Sequence, residues 1–196
     1  MMVGIAASVA VTQPATITEM ILAVGAGALG ALISDIDVGT SGSHRDADKI
    51  TMLSVRVVLA VIALDYFFHT GIINRIIRGN GYGRVIAGIL VFIGICAFGK
   101  EQPHRSFMHS LLALVLLCIA LYLVWEKAVI YFAVGFLSHL ATDILNKKKV
   151  RILYPLKAGV SLGMFHASGI ANNIFFAVGS AAVAFEIVLF AVKLYL

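Results

Sequence analysis

His139 and Asp143 stand four residues apart in "FAVGFLSHLATDILNKKK" (132–149). On a helix this spacing puts both on one face, one turn apart. Imidazole nitrogen and carboxylate oxygen are the usual ligands of catalytic Zn²⁺, and they serve Mn²⁺ and Fe²⁺ as well. The pair can grip one divalent cation. On its own it is equally explained by ordinary buried hydrogen bonding, so the weight falls on what accompanies it.

Two further clusters do. "PHRSFMHSLLALVLLCIALYLVW" (103–125) opens an apolar run with His104, Arg105 and His109. "GALISDIDVGTSGSHRD" (30–46) closes another with Asp35 and Asp37. In a continuous helix i and i+2 point apart, so both aspartates serve one site only if the helix ends near Asp35. Turn residues at 39–43 allow that. Ser106 is expected to cap the next helix through a free backbone N–H. His104 then stays in the loop and His109 enters the first turn. The expected metal site is thus Asp35, Asp37, His104, His109, His139 and Asp143, three carboxylates and three imidazoles. Asp37 is read as a ligand or as the general base. Arg105 suits a phosphate or carboxylate oxygen, and equally an interface anchor with a snorkelling side chain.

Other polar residues carry less. His166, in "GMFHASG", is a candidate late ligand or substrate contact, and His44, in "SHRDADK", a weaker one. Asp65 and His69 repeat the i, i+4 spacing but fall near the opposite membrane face, where a structural role is expected. Lys147, Lys148 and Lys149 read as topology anchors, with anionic lipid headgroups as the second option.

What positions these groups is a set of membrane helices. Of the 196 residues 61% are hydrophobic and 13% charged, with a mean hydropathy of +1.00. Soluble domains run about 45–50% apolar and about 25% charged. The fold class is therefore all-α, a polytopic membrane bundle of six to seven transmembrane helices forming one domain. Spans are expected at 3–13, 19–35, 54–72, 84–99, 107–125, 127–145 and 173–195. Met1 to Val11 lacks the basic residues that open a secretory signal. Cys96 and Cys118 fall inside spans and imply no disulfide. Glycine-rich "VGAGALGALI" (24–33) suits close helix packing in lipid.

Seven alternating spans put the N-terminus and the three motif-bearing loops on one face. That face holds ten of the fifteen Lys and Arg residues, which makes it the expected cytoplasmic side. The net charge of +5 then reflects topology, and no nucleic-acid partner is expected. Ionisable residues in spans usually face a bundle interior or a water-filled cavity. The expected partners are membrane lipids, with a lipid phosphate as a possible substrate.

"SDID" (34–37), "HRSFMHS" (104–110), "SHLATDILN" (138–146) and "ILYPL" (152–156) together resemble the YdjM family. Its members are described as inner-membrane, metal-dependent hydrolases, distantly grouped with zinc-dependent phospholipase C and related single-strand nucleases. The resemblance covers most of the chain in order and spacing. It implies zinc bound by Asp35 or Asp37 with His104, His109, His139 and Asp143, and hydrolysis of a phosphoester. Two departures stand out. Family members carry a Thr-His pair just before a stretch like the opening "MMVGIAASVAV", so the chain is expected either to begin a few residues upstream or to lack one ligand. Where members often carry a late glutamate, this chain has Asn172 and Asn173, and an amide cannot act as a base.

The expected activity is metal-assisted hydrolysis at the cytoplasmic membrane face. The rival is a non-enzymatic divalent-metal protein, a transporter or a regulatory scaffold. Ligands grouped at one face, without a paired inverted repeat, weigh against transport. A serine hydrolase using Ser110 or Ser138 is the weakest reading, since no Gly-x-Ser-x-Gly elbow is present.

Overall fold

A computed structural model describes residues 1–37, 63, 66–67, 81–165 and 170–195. These residues form helices and loops, with no strand beyond two isolated bridges. The helices are α1 (Met2–Thr12), α2 (Ile17–Ile33), α3 (Tyr82–Lys100), α4 (Leu111–Trp125), α5 (Val129–Ile144) and α6 (Ile170–Tyr195).

Local chemistry sets the ends. Thr16 caps α2, its Oγ1 accepting from the Glu19 N–H at 3.2 Å, while Glu19 reaches back to the Ala15 N–H at 2.8 Å. This is the reciprocal logic of a capping box. α4 is capped by Ser110, which accepts from the Ala113 N–H at 3.2 Å. The expected cap at Ser106 is not used: its hydroxyl turns to the Pro103 carbonyl instead. His109 therefore sits in a short 3-10 turn, Phe107–His109, ahead of the helix rather than inside it.

Four apolar stretches among the described residues are long enough to cross a bilayer: Ile17–Asp37, Tyr82–Lys100, Leu111–Ile144 and Asn173–Leu194. The expected count of six to seven is not reached, for three reasons. The predicted span 3–13 is an 11-residue helix, about 16 Å long at 1.5 Å per residue, against a hydrocarbon core of about 30 Å. Of the predicted span 54–72 all but residues 63, 66 and 67 lie outside the described residues. The two spans predicted at 107–125 and 127–145 form one apolar stretch broken at Glu126–Ala128, with arms of 15 and 16 residues. That stretch is a hairpin, because His109 at its start and Asp143 near its end come within 3.0 Å.

α2 and α5 lie closest together. A side chain on Gly30 would meet the Phe132 carbonyl, and one on Gly135 the Gly27 carbonyl. Without a hydrophobic drive between helices in lipid, such backbone approach is what small residues provide. Two apolar clusters fill the bundle. One surrounds Phe132, Phe136, Met108 and Leu117, and the other Ile5, Leu22 and Ala128. Ile86, Val115, Ile119 and Phe185 stay exposed on the outer faces of α3, α4 and α6, as lipid-facing positions require. Both cysteines are free thiols.

Candidate metal centre

The α2 helix stops at Ile33 and tightens into a 3-10 turn over Ser34–Asp37. This is the break the two aspartates needed. Asp35 and Asp37 consequently bracket one ring: Asp35 Oδ1 lies 3.5 Å from Nε2 of His109, and Asp37 Oδ2 lies 3.6 Å from its Nδ1. His109 is wholly buried.

On the Nε2 side, α5 supplies the rest. Asp143 Oδ2 is 3.0 Å from His109 Nε2. His139 Nε2 is 3.5 Å from Asp35 Oδ1 and 3.6 Å from Asp143 Oδ2. On the Nδ1 side, His104 Nδ1 pairs with Asp37 Oδ1 at 2.8 Å. Two triads of donor atoms, each within 4.8 Å of one another, thus share His109: Asp35–His109–His139 and Asp37–His104–His109.

Do these residues fit a metal? Among the described residues, both ring nitrogens of His109, Nε2 of His139 and Oδ2 of Asp143 are buried without a hydrogen-bond partner. Buried polar groups are normally satisfied, and each exception calls for a reason. Bonds of about 2.1 Å to a tetrahedral ion hold its ligands about 3.4 Å apart. The 3.5 Å separations of Asp35 from His109 and His139 come close to that edge, while His109 Nε2 and Asp143 Oδ2, at 3.0 Å, stand closer than it. The donor set, imidazole and carboxylate, is the one zinc, manganese and iron accept. The fit is good on the Nε2 side. It is poorer on the Nδ1 side, where Asp37 already bonds His104 and accepts the Arg105 N–H at 3.3 Å.

Arg105 ties the site to the loop beyond α5. Its Nη2 donates to Asp143 Oδ1 at 3.2 Å and its Nη1 to the Lys148 carbonyl at 2.9 Å. Its backbone φ is +63°, a left-handed conformation uncommon outside glycine. The guanidinium is mostly buried and engaged, though it borders the cavity.

That cavity is about 320 Å³. Asp35, His104, His139 and Asp143 form its polar wall, while Met2 and Phe176 contribute apolar surface. His109 and Asp37 do not line it. Burial alone would keep the His109 ring neutral. The carboxylates of Asp143, Asp35 and Asp37 outweigh burial and push its pKa up to about 10.

All six expected ligand residues therefore gather at one end of the bundle. His44, Asp65, His69 and His166 lie outside the described residues. Asn173 is exposed at the start of α6. Ser110 and Ser138 donate to the Phe107 and Gly135 carbonyls and to no imidazole, so nothing in their bonding activates them. Sequence reasoning missed the N-terminus: Met1 through Gly4 border the cavity, and apolar residues of this kind carry no chemical signature.

A search of curated proteins and a search of solved structures each return no significant match. The profile of the YdjM inner membrane protein family matches residues 1–196, the whole chain. With its apolar helices and its buried His and Asp cluster, the chain belongs to the YdjM inner membrane protein family.

Proposed function

We propose that the protein is a membrane-embedded, metal-dependent phosphoester hydrolase acting at the cytoplasmic face of the inner membrane, with zinc as the preferred ion. The observation that carries this reading is the orphaned donor set around His109 Nε2, of which His139 and Asp143, with Asp35, line a cavity of mixed polar and apolar residues. Asp35, His109, His139 and Asp143 would hold the ion. When bound, a divalent ion supplies a water acidic enough to yield hydroxide near neutral pH and polarises a phosphoryl oxygen. Asp35 is half exposed and lines the cavity, so it is the ligand that solvent and substrate reach. Asp37 has a side chain only 1% exposed. The sequence offered Asp37 as a ligand or as the general base; its burial and its contacts with His109 and His104 suit it instead to holding those two rings in place. Arg105, by bonding Asp143, orients that ligand. The apolar wall suits the acyl portion of a lipid phosphate entering from the bilayer.

Metal content by mass spectrometry of detergent-purified protein tests the reading, comparing wild type with His139→Ala and Asp143→Ala. Stoichiometric metal lost in both variants, together with turnover of a lipid phosphate by the wild type, is expected. Folded protein that takes up no added zinc, manganese or iron would rule the hydrolase out. Stoichiometric metal without turnover of any phosphoester would leave the non-enzymatic metal protein as the better reading.

A further inference from the structure

The segment after α5, residues 146–165, is a pinned cap on the metal-centre end of the bundle. Leu111 N–H donates to the Ile152 carbonyl at 2.9 Å and Arg151 N–H to the Arg105 carbonyl at 3.0 Å. Lys147 N–H reaches the Phe165 carbonyl at 3.0 Å, and Leu162 N–H the Ile144 carbonyl at 2.7 Å. Val150 pairs with Val160 and is fully buried. Tyr154 meets the Phe107 ring edge-on at 5.5 Å. The segment is held by its backbone and by two inward side chains.

Apart from buried Asn146 and a few half-buried residues the rest faces outward, and its composition is unusual. Lys147, Lys148, Lys149, Arg151 and Lys157 are all exposed, and the segment contains no aspartate or glutamate. Interleaved with them are Leu153, Leu156, Leu162 and Met164, at 58–66% exposure. Water alone does not select exposed leucines on an ordered cap. Nor does topology, which requires only the charges. Basic residues interleaved with large apolar ones at the end of a spanning bundle are the composition of a surface lying in the bilayer interface. Basic clusters next to spans are drawn to anionic headgroups.

We propose that residues 146–165 form an anionic-lipid docking surface: the five basic side chains engage headgroup phosphates, while Leu153, Leu156, Leu162 and Met164 reach the acyl boundary. Asn146 and Phe165, where the segment begins and ends, border the cavity, so the docked lipids would stand at its mouth. The proposal does not depend on the hydrolase reading, since its test reads bilayer contact and not turnover.

The test places a single tryptophan on the cap, with Trp125→Phe combined with Leu162→Trp in the full chain. The protein is reconstituted into nanodiscs of brominated phosphatidylcholine, with or without phosphatidylglycerol. Position 162 is exposed, so the larger side chain does not disturb the fold. The expected result is blue-shifted emission, protection from acrylamide and quenching by the brominated chains, stronger when phosphatidylglycerol is present. Adding Lys147→Gln, Lys148→Gln and Lys149→Gln should remove that dependence on phosphatidylglycerol. Red-shifted emission quenched by acrylamide would place the cap in water and overturn the proposal. Protection from both quenchers would mean protein covers the cap, and equal quenching in neutral and anionic discs would mean no headgroup charge is recognised. Either of these results overturns it too.

Discussion

His109 Nε2 lies 3.0 Å from Asp143 Oδ2, joining the turn just ahead of the α4–α5 hairpin to the hairpin's last turn. The membrane hairpin thereby closes on the metal centre. His109 presents its other nitrogen to Asp37. The two ring faces thus predict different consequences for different aspartates. Asp35→Asn and His109→Ala should abolish stoichiometric zinc binding. Asp37→Asn should keep the stoichiometry and weaken affinity about 10- to 100-fold, the usual cost of losing a group that orients a ligand. Titration calorimetry on the purified variants distinguishes these outcomes. The reverse ranking would move the ion to the Nδ1 side.

The raised pKa of His109, about 10, makes metal-free stability fall with pH. The folded protein holds this proton where the unfolded chain, at its ordinary value of 6.5, has released it. The stabilisation is complete below 6.5 and is lost as pH rises through about 10. Metal requires the neutral ring, so affinity for the ion should rise across the same window. Thermal melts between pH 6.5 and 10 should show the metal-free protein losing stability while the gap to the metal-loaded form widens. Parallel curves would show that the His109 proton and the ion do not compete.

Arg105 offers a separation of charge from backbone. Arg105→Ala removes a mostly buried partner of Asp143, a loss of about 3–5 kcal/mol when the remaining charge stays buried. Arg105→Gly removes the same guanidinium but relaxes the positive φ. It should therefore be the milder of the two, by about 1 kcal/mol. Unfolding in detergent measures both. An alanine variant as stable as the glycine variant would mean that the φ of +63° carries no strain.

Gly30 and Gly135 differ from Gly25 in what a methyl group would meet. The first two would collide with backbone carbonyls of the facing helix, and the third meets nothing within 4 Å. Gly30→Ala and Gly135→Ala should each destabilise by about 1–3 kcal/mol, as overpacking does. Gly25→Ala should be neutral or stabilise by up to about 1 kcal/mol through helix propensity. Melting temperatures of the three variants decide the matter, and equal values would show that α2 and α5 are not in backbone contact.

Composition by itself determined that this chain is helical and lives in a membrane, because a backbone in lipid must satisfy its own hydrogen bonds. The four long stretches fall close to their expected places for that reason. The donor atoms were legible as well. His139 and Asp143 share a face by helical periodicity alone, and Asp35 and Asp37 announced a helix end that the 3-10 turn at Ser34 provides. The hairpin of α4 and α5 was legible too, as the two spans expected at 107–125 and 127–145, and the turn at Glu126–Ala128 separates them. What the sequence left open depends on contacts between distant residues. Ser110 caps α4 in place of Ser106 because either serine can cap a helix, and the loop that bonds Leu111 to Ile152 selects where this one starts. Arg105 reads in isolation as an anion clamp or an interface anchor, and only the tertiary structure shows it bonded to Asp143 and the Lys148 carbonyl. Which nitrogen of His109 faces which aspartate is likewise a matter of ring orientation in a packed interior. Residue types set the chemistry available, and tertiary packing decided which atoms meet, because side-chain direction in a buried site follows from neighbours that lie far away in the chain.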